Sequence, residues 1–144
     1  MIREIVKEDY NGLMELYMQL HDNPMPEKTS EIMELWERIL NDKEHHIIVA
    51  EIDGKIVSSC VCVIIPNLTH NQRPYALIEN VITHNDYRKK GLATSCLNYA
   101  KEIAIKENCY KLMLLTGSKK ESTLNFYERA GYNKNDKTAF IHWL

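Results

Sequence analysis

The chain has 144 residues, of which 44% are hydrophobic and 26% charged, and its formal net charge is −2. This length and composition predict a single domain, residues 1–144, with a sizeable core. A general binder of nucleic acid or anionic membranes would be distinctly basic, so neither partner is expected. No apolar run approaches the roughly 20 residues that cross a bilayer, and the first residues lack the apolar stretch of a signal peptide. We therefore expect a cytoplasmic protein.

The first half of the chain predicts a strand, two helices and a β-hairpin. Leucines at helical spacing follow Asp9, which can cap a helix. Asp53-Gly54 lies between two β-rich runs and is a strong signal for a two-residue hairpin. The predicted elements are a strand at 2–6, a helix after Asp9 that ends before Asn23-Pro24, a helix that begins at Thr29 or Ser30, and strands at 46–52 and 55–65.

The second half predicts a β-α-β unit followed by a short helix and a last strand. Its elements are a strand at 74–83, a helix at 92–108, a strand at 110–116, a helix at 124–129 that Ser122 or Thr123 can cap and that Gly131 follows as a C′ residue, and a strand at 138–143. A crossover between parallel strands is right-handed, and its ligands bind at the carboxyl ends of the strands.

The turn at that end, Arg88-Lys89-Lys90-Gly91-Leu92-Ala93, has the features of an anion site. Exposed N–H groups at a helix start attract phosphate, and Gly91 has no Cβ to hold a phosphate away from the backbone. The three basic side chains add charge that a pyrophosphate could use. Taken alone, the hexapeptide is more often only a solvated basic turn.

The cysteines and histidines do not predict a metal site. Cys60, Cys62, Cys96 and Cys109 form no C-x-x-C pair, and no histidines have the H-E-x-x-H spacing. We interpret the cysteines as small buried hydrophobic residues in a reducing compartment.

A second motif, Asn125-Phe126-Tyr127-Glu128-Arg129-Ala130-Gly131-Tyr132, follows the strand at 110–116. A strand, an R-x-x-G-x-A turn, a helix, a strand and a helix with F-Y-x-x-x-G-Y, in this order, resemble the GNAT superfamily of acetyl-CoA-dependent N-acetyltransferases. Within it, Ile78-Glu79-Asn80-Val81 is most similar to the glucosamine-phosphate N-acetyltransferase branch. The resemblance, over residues 46–143, implies an α/β (α+β) GNAT fold. Its mixed central sheet of about six to seven strands would hold a β-α-β acyl-CoA-binding core flanked by four helices.

The resemblance also implies acetyl-CoA as the cosubstrate, without a metal. Backbone groups of β-strand residues would pair with the pantetheine arm, and N–H groups of the turn would hold the pyrophosphate. The residues implied in cofactor binding are Val81, Ile82, Thr83, Arg88, Lys89, Lys90, Gly91, Leu92, Ala93, Thr94, Asn125 and Tyr127. Two alternatives stay open: Gly91 as an ordinary helix-start glycine, and Lys89 and Lys90 as surface charges.

The implied catalytic residues are Glu79 and Tyr127. Glu79 would accept the amine proton, directly or through water, and Tyr127 would protonate the leaving thiolate. A backbone N–H near Val81 or Ile82 would stabilise the tetrahedral oxyanion. Alternatively, Tyr127 is a packing aromatic residue beside Phe126, and Glu79 is a solvated strand residue.

The acceptor is expected to be a primary amine: an amino sugar, polyamine, aminoglycoside or peptide amine. Lys120 and Ser118 depart from the family pattern, which has an asparagine at the first position in many members and an acidic residue at the second in the glucosamine-phosphate branch. The departure at Ser118 argues against glucosamine phosphate itself. The polar candidates for acceptor binding are Glu15, His21, Asp22, His70, Asn71 and His142.

Two further expectations concern activity and assembly. A non-catalytic acyl-CoA-binding regulatory module on the same fold is the alternative to an enzyme, because a fold does not guarantee activity. Members of the family are often homodimers that sometimes exchange C-terminal strands, so a homodimer is one expectation for this chain.

Overall fold

The computed structural model describes residues 1–21 and 24–144. Within these residues five strands form one mixed sheet in the spatial order β1-β2-β3-β4-β5. The strands are β1 Ile2–Glu4, β2 His45–Ile52, β3 Lys55–Ile65, β4 Tyr75–Thr83 and β5 Leu112–Leu114. The helices are α1 Tyr10–Tyr17, α2 Ser30–Asn41, α3 Leu92–Lys106 and α4 Glu121–Arg129, with 3₁₀ turns at Lys7–Asp9 and Asn85–Tyr87. Neighbours from β1 to β4 are antiparallel, and β5 runs parallel to β4.

The local signals in the first half of the sequence are confirmed with one exception. Asp53 and Gly54 both have positive φ, 49° and 75°, as a type I′ hairpin requires. The Thr29 hydroxyl accepts a hydrogen bond from the Ile32 N–H at 3.3 Å and so caps α2. Asp9 does precede α1, but its carboxylate caps nothing there. It accepts from the Val6 N–H at 2.8 Å and pairs with Arg3 instead.

Both faces of the sheet are covered, by different helices. One face packs on α1 and α2, and its buried cluster includes Leu13, Trp36 and Val61. The other face packs on α3, and its cluster includes Cys60, Ile78 and Leu97, with Phe126 and Tyr127 of α4 against its margin. β3 and β4 therefore lie between two apolar cores, which explains why β3 is almost continuously apolar.

The prediction of a strand at 138–143 is wrong, and with it the expected sheet of six to seven strands. Residues 133–144, here called the C-terminal tail, form no strand, and Phe140 and Trp143 are 91% and 88% exposed. A β-prone sequence forms a strand only where a sheet edge pairs with it, and no edge of this chain does so among the described residues. The fold is an α/β arrangement of five strands and four α-helices within the described part of the chain.

Two boundaries also differ from the prediction. β5 spans three residues rather than 110–116: Tyr110 and Lys111 before it still hydrogen-bond to Pro74 and Ala76, and its pairing with β4 ends at Leu114. α4 begins at Glu121, not at 124, and follows Lys120, whose side chain makes no capping bond. Gly131 follows the helix with φ 99°, as predicted.

Candidate active site

β4 is interrupted by a bulge at Asn80. Ser59 of β3 pairs with Ile82 and Val61 pairs with Glu79, so Asn80 and Val81 together lie opposite a single residue, Cys60. Asn80 has a left-handed backbone, with φ 51°. A bulge of this type reverses the direction of the backbone groups that follow it.

Beyond this bulge β4 loses its second neighbour. The parallel pairing with β5 ends at Ile78 and Leu114, whereas β4 continues to Thr83. The His84 N–H donates to the Val57 carbonyl of β3 at 2.8 Å, so alternation along the strand directs the N–H groups of Thr83 and Val81 into the gap. The Ile82 carbonyl instead accepts from the Ser58 hydroxyl at 3.0 Å and faces β3. Val81, Ile82 and Thr83 are the strand residues predicted to bind the cofactor. Val81 and Thr83 present backbone groups to the gap, and Ile82 does not.

The turn before α3 presents backbone N–H groups rather than basic side chains. Lys89 and Gly91 both have positive φ, 60° and 76°, and Gly91 precedes the helix without a capping side chain. The space beside the Gly91 Cα, where a Cβ would lie, is open. The first N–H groups of the helix, from Leu92 to Thr94, have no acceptor within it. The turn therefore forms a concave nest with the positive end of the helix dipole behind it.

The basic side chains of this turn lie apart from that nest. The Arg88 Nε donates to the Thr83 carbonyl at 3.3 Å, and the Lys90 Nζ lies 4.8 Å from the centre of the Tyr87 ring. Both residues are exposed, as is Lys89. In this conformation the arginine tethers the turn to β4 and the lysines are surface charges.

Tyr127 is held at the end of α4 by a Schellman motif. The Tyr132 N–H donates to the Tyr127 carbonyl at 3.0 Å and the Gly131 N–H to the Glu128 carbonyl at 3.0 Å. The ring of Tyr127 packs at the margin of the α3-side core, near Cys60. Burial, and to a smaller extent the Cys60 thiol, raise the pKa of Tyr127 above its usual 10.0, so its hydroxyl is protonated at neutral pH.

Glu79 lies on the other face of the sheet. It pairs directly with Val61, whose side chain belongs to the core under α1 and α2, and directly paired residues share a face. Its carboxylate side chain is exposed. Glu79 and Tyr127 therefore flank β4 from opposite faces near the bulge, which suits a base and an acid that act on opposite sides of one reacting group.

The comparisons with known proteins agree with this geometry. Residues 10–132 match the family model described as the acetyltransferase (GNAT) family. The chain belongs to this family. Its GNAT membership agrees with the glycine turn before α3, on which the resemblance in the sequence was based.

Three relatives show how this GNAT chain compares with other proteins. An acetyltransferase of Agrobacterium tumefaciens C58, proposed as such, has a solved structure that is 36% identical, covers 99% of both chains and has a TM-score of 0.91. An uncharacterised N-acetyltransferase of Methanocaldococcus jannaschii is 27% identical over 99% of this chain and 64% of its own length. Glucosamine 6-phosphate N-acetyltransferase of Trypanosoma brucei brucei is 32% identical over 58% of this chain and 55% of its own. This GNAT chain thus covers less than two thirds of the length of both curated relatives. The family and the relatives' names support an acetyltransferase enzyme.

The other predicted site residues of the GNAT chain are scattered. Asn125 is half-buried on α4 but lies about 200° around the helix from Tyr127. The Ser118 hydroxyl accepts from the Lys120 N–H at 3.3 Å and donates to Thr123 at 3.2 Å. Ser118 therefore shapes the loop into α4 and supplies no carboxylate.

The residues predicted to bind the acceptor also lie in separate parts of the fold. Glu15 lines a groove of about 550 Å³ between α1, the β2–β3 hairpin and His84. His70 stacks on Tyr110 with ring centroids 3.8 Å apart, and with Asn71 it precedes β4, at the end of that strand away from the bulge. His142 is in the exposed tail, and Asp22 lies outside the described residues. His21 has a left-handed backbone, with φ 55°.

Three cysteines of this GNAT domain, Cys60, Cys62 and Cys96, are buried in the core on the α3 side of the sheet. Burial raises the pKa of Cys62 to about 12 and of Cys96 to about 11, and raises that of Cys60 as well.

No group of three or more His, Cys, Asp or Glu side chains within 1–21 and 24–144 could hold a metal ion. In the same ranges no helix is long and apolar enough to span a membrane.

Sequence reasoning overlooked the bulge at Asn80 of this GNAT domain. A signal for Asn80 existed, because asparagine is depleted in strands and is the residue after glycine that most readily takes positive φ.

Proposed function

We propose that this chain, acting as one domain, is an N-acetyltransferase that moves an acetyl group from acetyl-CoA to a primary amine by direct attack in a ternary complex. The observation that carries the proposal is the gap between β4 and β5. The N–H groups of Val81 and Thr83 face it without a strand partner on that side among the described residues, and α3 begins after the turn that follows β4. A cytoplasmic location remains a prediction from the sequence.

The residues present fit acetyl-CoA. The open space at Gly91 and the left-handed turn before α3 suit a pyrophosphate. The unpaired side of β4 suits the amide groups of a pantetheine arm, which would add to the sheet like a strand. Bound there, acetyl-CoA supplies an acetyl thioester. Asn125, Arg88, Lys89 and Lys90 would contribute less, because their side chains are directed elsewhere or are exposed.

Three groups of the chain would then act on the thioester. Glu79 accepts the proton of the amine from the α1 side of the sheet, directly or through water. The Val81 N–H stabilises negative charge that develops on the acetyl oxygen, because it is fixed by the bulge and points into the gap. Tyr127 donates its proton to the departing sulfur from the α3 side, and its raised pKa keeps that proton in place at neutral pH.

Primary amines are the proposed acceptor class, and the chemistry of the acceptor-side candidates favours cations. Glu8 and Glu15 give the groove beside α1 a negative lining, whereas Asp9 on the same groove is paired with Arg3 and Lys55 also borders it. An amino sugar phosphate is disfavoured, because Ser118 offers no carboxylate for its amine. Polyamines, aminoglycosides and peptide amines are the acceptors to try first.

A homodimer is part of the proposal. The tail exposes Phe140, Ile141 and Trp143, and β5 is a sheet edge whose outer side has no strand partner among the described residues. Pairing of the tail with the β5 edge of a second copy would cover both features.

The test is turnover of acetyl-CoA with a panel of amines, measured by release of free CoA thiol. Amine-dependent release that Tyr127→Phe slows is the expected result. Tight binding of acetyl-CoA without turnover on any amine would instead favour the regulatory module.

A further inference from the structure

Two nitrogen donors face each other just beyond the end of β4. The half-buried imidazole of His84 accepts a hydrogen bond from the Asp86 N–H at its Nδ1, at 3.2 Å. A ring nitrogen that accepts carries no proton, so the proton of the neutral imidazole is on Nε2. The Lys55 Nζ lies 3.3 Å from that Nε2. An ammonium group donates and never accepts, so this contact joins two donors and lacks an acceptor.

The carboxylates of the neighbourhood do not supply that acceptor. The Asp86 carboxylate is 3.9 Å from Nδ1 of the ring, beyond hydrogen-bond distance. Glu8 and Glu15 line the same groove as Lys55 and His84, but no salt bridge joins Lys55 to a carboxylate within residues 1–21 and 24–144. An anion that bridges the two donors would give each of them an acceptor and would offset the positive charge of the lysine.

A second lysine adds positive charge beside this pair. The ring of Tyr87 packs edge to face on His84, with centroids 5.5 Å apart and planes at 85°. Two ammonium groups lie near the centre of the same ring, Lys55 at 5.7 Å and Lys90 at 4.8 Å. Lys90 comes directly before Gly91, so the pair adjoins the turn that suits a pyrophosphate. Two lysines and an N–H donor favour a phosphate monoester, with about two negative charges at neutral pH, over a singly charged carboxylate.

We propose that Lys55 and His84 form a binding site for a phosphate monoester, separate from the nest at Gly91. Two phosphate oxygens would accept from the Nε2–H of His84 and from the ammonium group of Lys55, and Lys90 would add charge. Two sources would supply this group. One is the 3′-phosphate of acetyl-CoA, and this source rests on the proposed function. The other is the phosphate of a separate ligand in the groove beside α1.

Matched variants separate this site from a general loss of charge. Lys55→Gln removes the ammonium group and keeps most of the length of the side chain. His84→Asn removes the Nε2–H but keeps the turn, because an asparagine oxygen also accepts from the N–H two residues further on. Lys101→Gln removes an equal charge from the exposed side of α3 and is the control.

The first experiment titrates the ligand-free protein with inorganic phosphate at constant pH and ionic strength. The ring nitrogen resonances of His84, observed by NMR, report binding. We expect a saturable shift of Nε2 at millimolar phosphate in the parent and in Lys101→Gln, and a Kd that is roughly three- to tenfold higher in Lys55→Gln. The absence of a saturable shift in the parent, or an unchanged Kd in Lys55→Gln, overturns the proposal.

The second experiment identifies the source of the phosphate by calorimetry. If it is the cofactor's, the parent binds acetyl-CoA roughly three- to tenfold more tightly than 3′-dephospho-acetyl-CoA, Lys55→Gln and His84→Asn lose this preference, and Lys101→Gln keeps it. If it belongs to a separate ligand, the two forms bind equally and neither displaces inorganic phosphate from His84. A preference that Lys55→Gln and His84→Asn both keep overturns the cofactor as the source.

The site and the proposed function can fail separately, because neither experiment uses an amine. A parent that acetylates no amine but shows the Lys55-dependent shift of His84 would lose the proposed function and keep this site. A parent that acetylates amines without that shift would keep the function and lose the site.

Discussion

Tyr127 and Tyr132 pack edge to face across the end of α4, with ring centroids 6.3 Å apart and ring planes at 81°. The Schellman motif brings them together, because it turns the chain back over the last helical turn. One ring thus fixes the other, and the two hydroxyls can be removed separately without loss of the contact.

We expect Tyr127→Phe to lower kcat by roughly ten- to a thousandfold, within the range of general acid catalysis, with the Kd for acetyl-CoA nearly unchanged. Single-turnover acetyl transfer and calorimetry on one sample measure the two quantities. Tyr132→Phe is the matched control and should retain the parental rate. Parental transfer in Tyr127→Phe would make Tyr127 a packing residue, and a loss of affinity along with rate would make it a cofactor ligand.

Gly91→Glu should weaken acetyl-CoA binding strongly, through bulk and negative charge at the proposed pyrophosphate site. Gly54→Glu provides the control, since Gly54 has nearly the same φ, 75°, and equally open surroundings, but lies in the β2–β3 hairpin. The backbone strain of the two substitutions is therefore comparable. Calorimetry that gives equal affinities for the two variants would remove the pyrophosphate assignment.

Glu79→Gln should lower the rate of acetyl transfer and change the acidic limb of the pH–rate profile, because the amide cannot take up a proton. Glu102→Gln alters an exposed carboxylate on α3 and should leave the profile as it is. Persistence of the acidic limb in Glu79→Gln would show that another group, or the ionisation of the amine, sets it.

Asp9→Asn should destabilise the fold by about 1.5–3 kcal/mol at neutral pH, the scale of a hydrogen bond to a charged group. The hydrogen bond from Arg3 holds the pKa of Asp9 below its ordinary 3.8. A depressed folded-state pKa means that the stabilisation is present above 3.8 and is lost as the pH falls through the lower, folded value. Urea unfolding should therefore give a difference in the free energy of unfolding between parent and variant at pH 7, and this difference should shrink towards pH 2. Glu8→Gln, on the same turn, should produce no such difference.

Replacement of Trp143 by lysine should shift the protein from dimer to monomer if the tail covers the β5 edge of a second copy. Light scattering coupled to size-exclusion chromatography measures the mass directly. Lys137→Glu, in the same tail but without apolar area, is the control. A monomeric parent at micromolar concentration would contradict the proposed dimer.

Sequence reasoning succeeded where structure depends on neighbours along the chain. The hairpin at Asp53-Gly54, the cap at Thr29 and the glycine after α4 each follow from local backbone chemistry. The tail failed because a strand needs a partner, and alternation in the sequence cannot reveal whether one exists. The candidate site shows the same contrast: the turn at Gly91 was visible as a motif, whereas the bulge at Asn80 depends on how β4 pairs with β3.

The burial of Cys60 beneath the bulge has a consequence for chemical self-damage. Thiols exchange with thioesters only as thiolates, and burial raises the pKa of Cys60, Cys62 and Cys96 so far that almost none of each is ionised at pH 7. In the proposed enzyme the activated acetyl group would lie beside this cysteine-lined core, and the same apolar packing that stabilises the sheet would protect the thiols from acylation.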